Sequence, residues 1–372
     1  VKILLPFQDP FNRTLDSKIM SGGTENFCKS IYENFETIPY YIPIEQIKWN
    51  QRQKKEEAQK IVDKAEEEQV DVIISNFAQA IYNSQTLIKS KIPIMFVEHC
   101  IYPIPNVIYR WNQGIKNGHS LFWVSEWQQK KYEDMAKRTN QPVISHAGYI
   151  RPGYVKVKQK LPKKYKYECG TIGRCDNGKK PFLLKQLLKD TDIKSLVITS
   201  TTQFDKDKPY YERNQKWSDV TFDDPYDKVI KKISECKTYF STWEGETYGL
   251  TSLEALSCGV PVILNSDKDG IHASTIIPAS KEHYKVIPNK SKEELVKAIK
   301  SFENVDRKAI QEATWEKHNK EAWKKQFENC VDKTIENFKV NQTMSKTKRI
   351  DSISSFRRYI IQWLKNLVKT KT

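Results

Sequence analysis

Two glutamates, Glu246 and Glu254, are separated by seven residues within Ser241-Thr-Trp-Glu-Gly-Glu-Thr-Tyr-Gly-Leu-Thr-Ser-Leu-Glu-Ala-Leu-Ser-Cys-Gly-Val-Pro-Val-Ile263. The run predicts a strand ending at Thr242, a glycine-containing turn, a helix from near Leu250 and a new strand from Pro261. At such a helix N-terminus the backbone N–H groups of Thr247, Tyr248, Gly249 and Leu250 favour a phosphate through donors and dipole together. A carboxylate beside that phosphate can accept hydrogen bonds from sugar or ribose hydroxyls. The plain alternative is a turn carboxylate that satisfies its own helix, with Glu254 an exposed helix residue.

The ordered combination is more specific than its parts. Glu246, seven residues, Glu254, with Gly249-Leu250 between and Glu-Ala-Leu-Ser-Cys-Gly-Val-Pro-Val-Ile following, resembles the E-x7-E signature of retaining GT-B glycosyltransferases, nearest the glycosyl transferases group 1 (GT4) family. The resemblance implies that Glu246 contacts the transferred sugar at its reacting end and that Glu254 binds the ribose of the donor nucleotide. The family's Glu-Gly-Phe-Gly-Leu reads Glu246-Thr-Tyr-Gly-Leu here, and spacing favours Glu246 over Glu244. Upstream, Thr171-Ile-Gly-Arg-Cys-Asp-Asn-Gly-Lys-Lys-Pro-Phe182 is similar to the family's Gly-Arg…Lys motif. It implies that Arg174 forks onto the donor diphosphate and that Lys179, with Lys180 as the alternative, adds a point charge. These cations would do the electrostatic work that a metal does in other transferases, and no metal or further cofactor is implied beyond the co-substrate, a UDP- or GDP-sugar. Asp267-Lys-Asp269 has the spacing of a metal motif but reads as a loop.

In the first half, Gly22 and Gly23 within Ser21-Gly-Gly-Thr-Glu25 match the family's glycine loop near the donor phosphates, with a simple loop or N-cap as the alternative. His99 follows an apolar strand where the family often places a histidine facing the sugar, and a structural role is equally open. His146-Ala-Gly-Tyr-Ile departs from the family's pattern and carries no role. The resemblance covers residues 1–325 and is strongest in the second half.

The elements that must position these residues alternate between short apolar runs and helical stretches, as in α/β units around parallel sheets. Strands are expected at 1–7, 38–42, 70–75, 92–98, 121–125 and 142–146, then at 169–173, 195–199, 220–222, 238–242 and 261–265. Helices are expected at 51–69, 126–138, 180–190, 226–236, 251–258 and 292–302, with helical composition over 312–340. The fold class is α/β of the GT-B type: two doubly wound Rossmann-like domains facing each other across a donor-binding cleft. The expected boundaries are an acceptor-binding domain over 1–150, a linker over 151–166 carrying Pro152, Gly153, Pro162 and six lysines, a nucleotide-sugar domain over 167–325, and C-terminal helices with a basic tail over 326–372.

At 372 residues, with 38% apolar and 29% charged residues, the chain is long enough for two cores and is not of disordered composition. No apolar run is long enough to span a bilayer, and the opening strand lacks a leader's basic and small-residue features, so a cytoplasmic protein is expected, peripheral at a membrane if its tail binds one. Seven scattered cysteines without a CxxC pair argue for reduced thiols rather than disulfides or zinc.

The net charge of +16 implies an anionic partner, and residues 341–372 concentrate eight Lys/Arg against one Asp. There Phe356, Ile360, Trp363, Leu364, Leu367 and Val368 share one helical face. Such a helix can lie on an anionic membrane or pack back on the N-terminal domain, readings of equal weight, and its cations can also contact DNA phosphates. The acceptor reading follows: a lipid-linked or envelope glycan first, a hydroxymethylated DNA base as in phage-type DNA glycosyltransferases second. A non-catalytic nucleotide-sugar-binding protein is a third reading, against which the presence of Arg174, Lys179, Glu246 and Glu254 together counts. Oligomeric state leaves no mark in the sequence.

Overall fold

The computed structural model describes residues 1–7, 15, 23–42, 50–76, 85–99, 105–139, 143, 145–176, 178–200, 208–214, 217–266, 272–288 and 291–344. Gly22, the 267–269 loop and the amphipathic stretch 356–368 lie outside the described residues. The chain divides into two units, residues 1–153 with 324–372, and residues 154–323.

In the first unit, β1 (Lys2–Phe7), α1 (Gly23–Tyr32), β2 (Glu36–Tyr41), α2 (Gln51–Glu67), β3 (Val72–Ser75), α3 (Gln85–Ile88), β4 (Ile94–Glu98), α4 (Pro105–Lys116), β5 (Ser120–Trp123), α5 (Glu126–Arg138) and β6 (Gly148–Tyr149) follow in order. The six strands form one sheet in the order β2-β1-β3-β4-β5-β6, parallel throughout. The central strands β3, β4 and β5 are buried along their whole length, as parallel strands covered on both faces must be. Edge strand β2 is half exposed and tolerates Pro39, whose missing N–H costs least at an edge. Helix α2 starts with a capping box between Asn50 and Gln53 and buries Ala58, Ile61, Val62 and Ala65 against Leu4, Ile73 and Leu121.

In the second unit, β7 (Tyr167–Ile172), α6 (Leu183–Leu187), β8 (Ser195–Thr199), α7 (Lys208–Asn214), β9 (Val220–Phe222), α8 (Tyr226–Ser234), β10 (Cys236–Ser241), α9 (Leu250–Ser257), β11 (Val262–Asn265), β12 (Tyr284–Ile287), α10 (Lys292–Ser301) and α11 (Arg307–His318) precede α12 (Lys320–Met344). The sheet order is β12-β11-β10-β7-β8-β9, again parallel. The chain therefore winds outward from β7 to β9, then returns to β10 on the other side of β7. That is the Rossmann order, and its reversal between β7 and β10 opens a crevice at the carboxyl ends of those two strands. Beyond the unit boundary, α12 packs on the first unit: Phe327 lies 4.7 Å from Phe35, Phe338 stacks on His119 at 5.3 Å, and Asn337 donates to Ser120 at 3.1 Å.

Two local expectations are corrected, and the structure adds elements that the sequence did not announce. Of the strand expected over 142–146, the described residues 143, 145 and 146 lie outside any strand, and the two-residue β6 follows, where Gly148 and Tyr149 pair with Phe122 and Trp123. The helix expected over 180–190 shrinks to α6, since Lys180 adopts φ +46° and Pro181 follows it. Strand β12, half-exposed at the sheet edge with Lys285 in its middle, carries no apolar run to announce it. Helix α4 was also unannounced, and it opens with Pro105 at its first position.

Candidate active site

The carboxyl ends of β7 and β10 carry the two loops with the predicted chemistry. After β7, Asp176 Oδ1 accepts from the backbone N–H of Gly178 at 2.8 Å and of Lys179 at 2.6 Å, so a short acidic side chain shapes the loop that presents Lys179. After β10, Thr242 Oγ1 donates to the Lys179 carbonyl at 2.6 Å and ties the two loops together. The Lys179 ammonium then meets Glu246 Oε2 at 2.7 Å and lies 3.9 Å from the centre of the Trp243 ring. Burial raises the Glu246 carboxyl pKa, but the charge and hydrogen bond of Lys179, nearby His272 and the N–H of Thr247 outweigh it and hold the group below the ordinary carboxylate value. Glu246 is thus an ionised acceptor in a mostly buried setting.

The turn between Glu246 and α9 depends on Gly249. It caps the helix at φ +99°, and a Cβ there would meet Ser274 Oγ at 1.9 Å. The first helical bond of α9 runs from Leu253 N–H to the Gly249 carbonyl at 3.1 Å, so the N–H groups of Leu250 and its neighbours form the open, positive end of the helix dipole. Thr247 is half-buried, and the Tyr248 side chain is buried while its carbonyl accepts from Ser274 Oγ at 3.0 Å.

Glu254 sits in the second turn of α9. Burial pushes its carboxyl pKa up to about 7, moderated by the hydrogen bond from the Tyr226 hydroxyl and by the charge of Lys156. Burial in turn raises the Tyr226 phenol well above its ordinary value, with Glu254 adding to the shift.

Within the second unit the predicted residues fall on the loops after β7 and β10 and on α9. Arg174 is largely exposed and pairs with Asp176 Oδ2 at 3.3 Å, on the same loop as Lys179. Lys180 is exposed, and Lys179 is the lysine that reaches Glu246. His99 and Gly23 belong to the first unit. Gly23 is the first residue of α1, and His99 follows β4 with its ring 5.3 Å from Phe27. Burial pushes the His99 imidazole pKa down to about 3, so the ring is neutral. Among the described residues no group of three or more His, Cys, Asp or Glu side chains could hold a metal ion, and six free cysteines are all buried. No described helix is long and apolar enough to cross a membrane.

Sequence reasoning missed Asp176, Trp243, Tyr226 and His272. Asp176, three residues before Lys179, carries a readable turn signal. Tyr226 and His272 reach the site only through the winding of the sheet, and no local pattern marks them.

The two successive Rossmann-like units define the GT-B fold. Residues 155–321, which contain the Lys179–Glu246 pair, match the family Glycosyl transferases group 1. Similar solved structures are Anabaena Alr3699/HepE in complex with UDP and glucose (TM-score 0.65, 15% identity, 89% of this chain and 99% of that one) and the lipopolysaccharide outer core galactosyltransferase WaaB in its apo form (0.58, 14%, 89% and 99%). Sucrose-phosphate synthase from Thermosynechococcus elongatus is similar over 92% of this chain and 100% of that one, with TM-score 0.61 and 12% identity. No curated protein matches the chain by sequence.

Proposed function

We propose that this chain transfers a sugar from a nucleoside-diphosphate sugar to an acceptor hydroxyl, with retention of anomeric configuration. The observation that carries the reading is the Lys179–Glu246 pair beside the open N-terminus of α9, at the reversal of the Rossmann sheet. A diphosphate placed at that helix end meets the dipole and the Lys179 ammonium together, and exposed Arg174 on the same loop adds a fork of donors. Lys179 then turns from Glu246 to the phosphate, leaving the Glu246 carboxylate to accept hydrogen bonds from the sugar. Glu254 takes the ribose hydroxyls.

In the transfer, the bond between the anomeric carbon and the diphosphate oxygen breaks, and the leaving group takes the electron pair. The acceptor oxygen attacks the same face and passes its proton to the departing diphosphate oxygen. Charge that develops on the leaving diphosphate is met by Lys179, Arg174 and the α9 dipole. The second unit, residues 154–323, serves the donor; in the first, residues 1–153 with 324–372, His99 serves the sugar, Gly22 and Gly23 serve the donor phosphates, and the rest serves the acceptor.

UDP is the favoured nucleotide because the similar Anabaena protein is described with UDP and glucose. A lipid-linked or envelope glycan is the favoured acceptor, since the similar WaaB is a lipopolysaccharide outer core galactosyltransferase. The test is transfer of label from a panel of radiolabelled UDP- and GDP-sugars to a bacterial membrane-lipid extract and, in parallel, to hydroxymethylcytosine-containing DNA. Label in the lipid or glycan fraction supports this acceptor, and label in DNA replaces it with a nucleobase. Absence of both transfer and nucleotide-sugar binding would overturn the assignment.

A further inference from the structure

We infer that His272 is a positioning residue for Glu246, an inference that rests on the proposed glycosyl transfer. The segment from Thr242 to Tyr248 has no helix or strand to satisfy its backbone, so its polar groups need partners from elsewhere. Those partners come from the end of β11 and the turn beyond it. Asn265 Nδ2 donates to the Thr242 carbonyl at 3.0 Å. His272 Nε2 lies 3.0 Å from the Trp243 carbonyl and 3.4 Å from Ser241 Oγ. Ser274 Oγ donates to the Tyr248 carbonyl at 3.0 Å.

The two sides of the Glu246 loop are thereby pinned by one short turn, Ala273–Ile276, whose cap is His272 itself. The cap fixes the tautomer. His272 Nδ1 accepts from the Ser274 N–H at 3.1 Å, so the ring proton sits on Nε2 and is donated to Trp243. His272, Ala273 and Ser274 are fully buried, so this anchor has no freedom to wander. Trp243 carries the ring over which Lys179 lies, and Glu246 follows three residues later, so the anchored carbonyl sits at the root of both. A displacement of about 1 Å in a reacting group costs on the order of 10²-fold in rate.

Two substitutions separate positioning from simple support. In His272→Asn the short amide keeps an acceptor for the Ser274 N–H but cannot reach Trp243. In His272→Gln the longer amide restores a donor near the Nε2 position. The expected result is a kcat at least tenfold lower in H272N, with free UDP binding within a few-fold, and recovery to within a few-fold of wild type in H272Q. Amide hydrogen exchange over 243–248 should quicken in H272N and not in H272Q, a readout independent of turnover. Ser274→Ala, which frees the other side of the loop, should also lower kcat and gives a second variant if H272N does not fold. Wild-type kcat and exchange in H272N, or equal losses in both amide variants, would overturn the inference. A wild-type chain without transfer would fail the proposed function instead, and the exchange result would then decide the anchor alone.

Discussion

The ammonium of Lys179 stands 2.7 Å from a carboxylate oxygen of Glu246 and 3.9 Å from the centre of the Trp243 ring. It joins two loops that leave neighbouring parallel strands, β7 and β10, which pair directly through Thr238 and Cys169. The pair sets a cation and an ionised carboxylate side by side at the carboxyl ends of β7 and β10.

Replacing Lys179 with Met should destabilise the second unit by about 1–3 kcal/mol at neutral pH, because Glu246 keeps its charge and loses its partner. The folded-state pKa of Glu246 is held down, so the pair's stabilisation is present above the ordinary carboxylate value and is lost as pH falls through the depressed folded value. Thermal unfolding of wild type and K179M should therefore differ at pH 7 and converge in acid. A constant gap across pH would reject the ion pair as its source.

Glu254 should show the opposite sign. Its folded pKa of about 7 lies above the ordinary value, so ionisation opposes folding as pH rises from about 4.5 to 7 and adds no further change above that. Glu254→Gln should melt close to wild type at pH 5 and higher than wild type at pH 8, when no nucleotide is present. A variant that melts lower at pH 8 would contradict the burial account.

Gly249→Ala should be among the most damaging small substitutions. The left-handed backbone already disfavours a side chain, and the new methyl would overlap Ser274 Oγ. A loss of about 2 kcal/mol or more in chemical denaturation is expected. A loss under about 0.5 kcal/mol would mean that the turn rearranges freely.

Much of this architecture is legible in the sequence because parallel strands buried on both faces are uninterrupted apolar runs. β8, buried along its length, falls on its expected bounds for that reason; edge strand β9 does so as a short Val-Thr-Phe run, and helix α5 through its Ser125 cap, whose side chain accepts from the Gln128 N–H at 3.1 Å. Strand β12 escapes because a half-exposed edge needs no apolar alternation. At the site, Glu246, Glu254 and Gly249 are legible because spacing along one turn and helix is a local property. The partners of these residues are not. Tyr226 approaches Glu254 because α8 packs beside α9, and His272 approaches Trp243 because β10 and β11 are neighbours in the sheet, pairings that no window of sequence contains.

Arg174 is largely exposed in its pair with half-buried Asp176, so Arg174→Ala should change stability by less than about 0.5 kcal/mol. The same variant should weaken binding of free UDP severalfold in calorimetry, and EDTA should leave wild-type turnover unchanged if Arg174 and Lys179 supply the positive charge. Equal UDP affinity in R174A would remove Arg174 from the donor site.

The most direct test of the central claim compares Glu246→Gln with wild type, measuring sugar transfer from a UDP-sugar and UDP-sugar affinity on the same preparations. The account predicts that transfer is abolished while donor affinity stays within a few-fold, since Glu246 acts at the sugar rather than at the diphosphate. Unchanged turnover in E246Q would contradict it and exclude Glu246 from the reacting end.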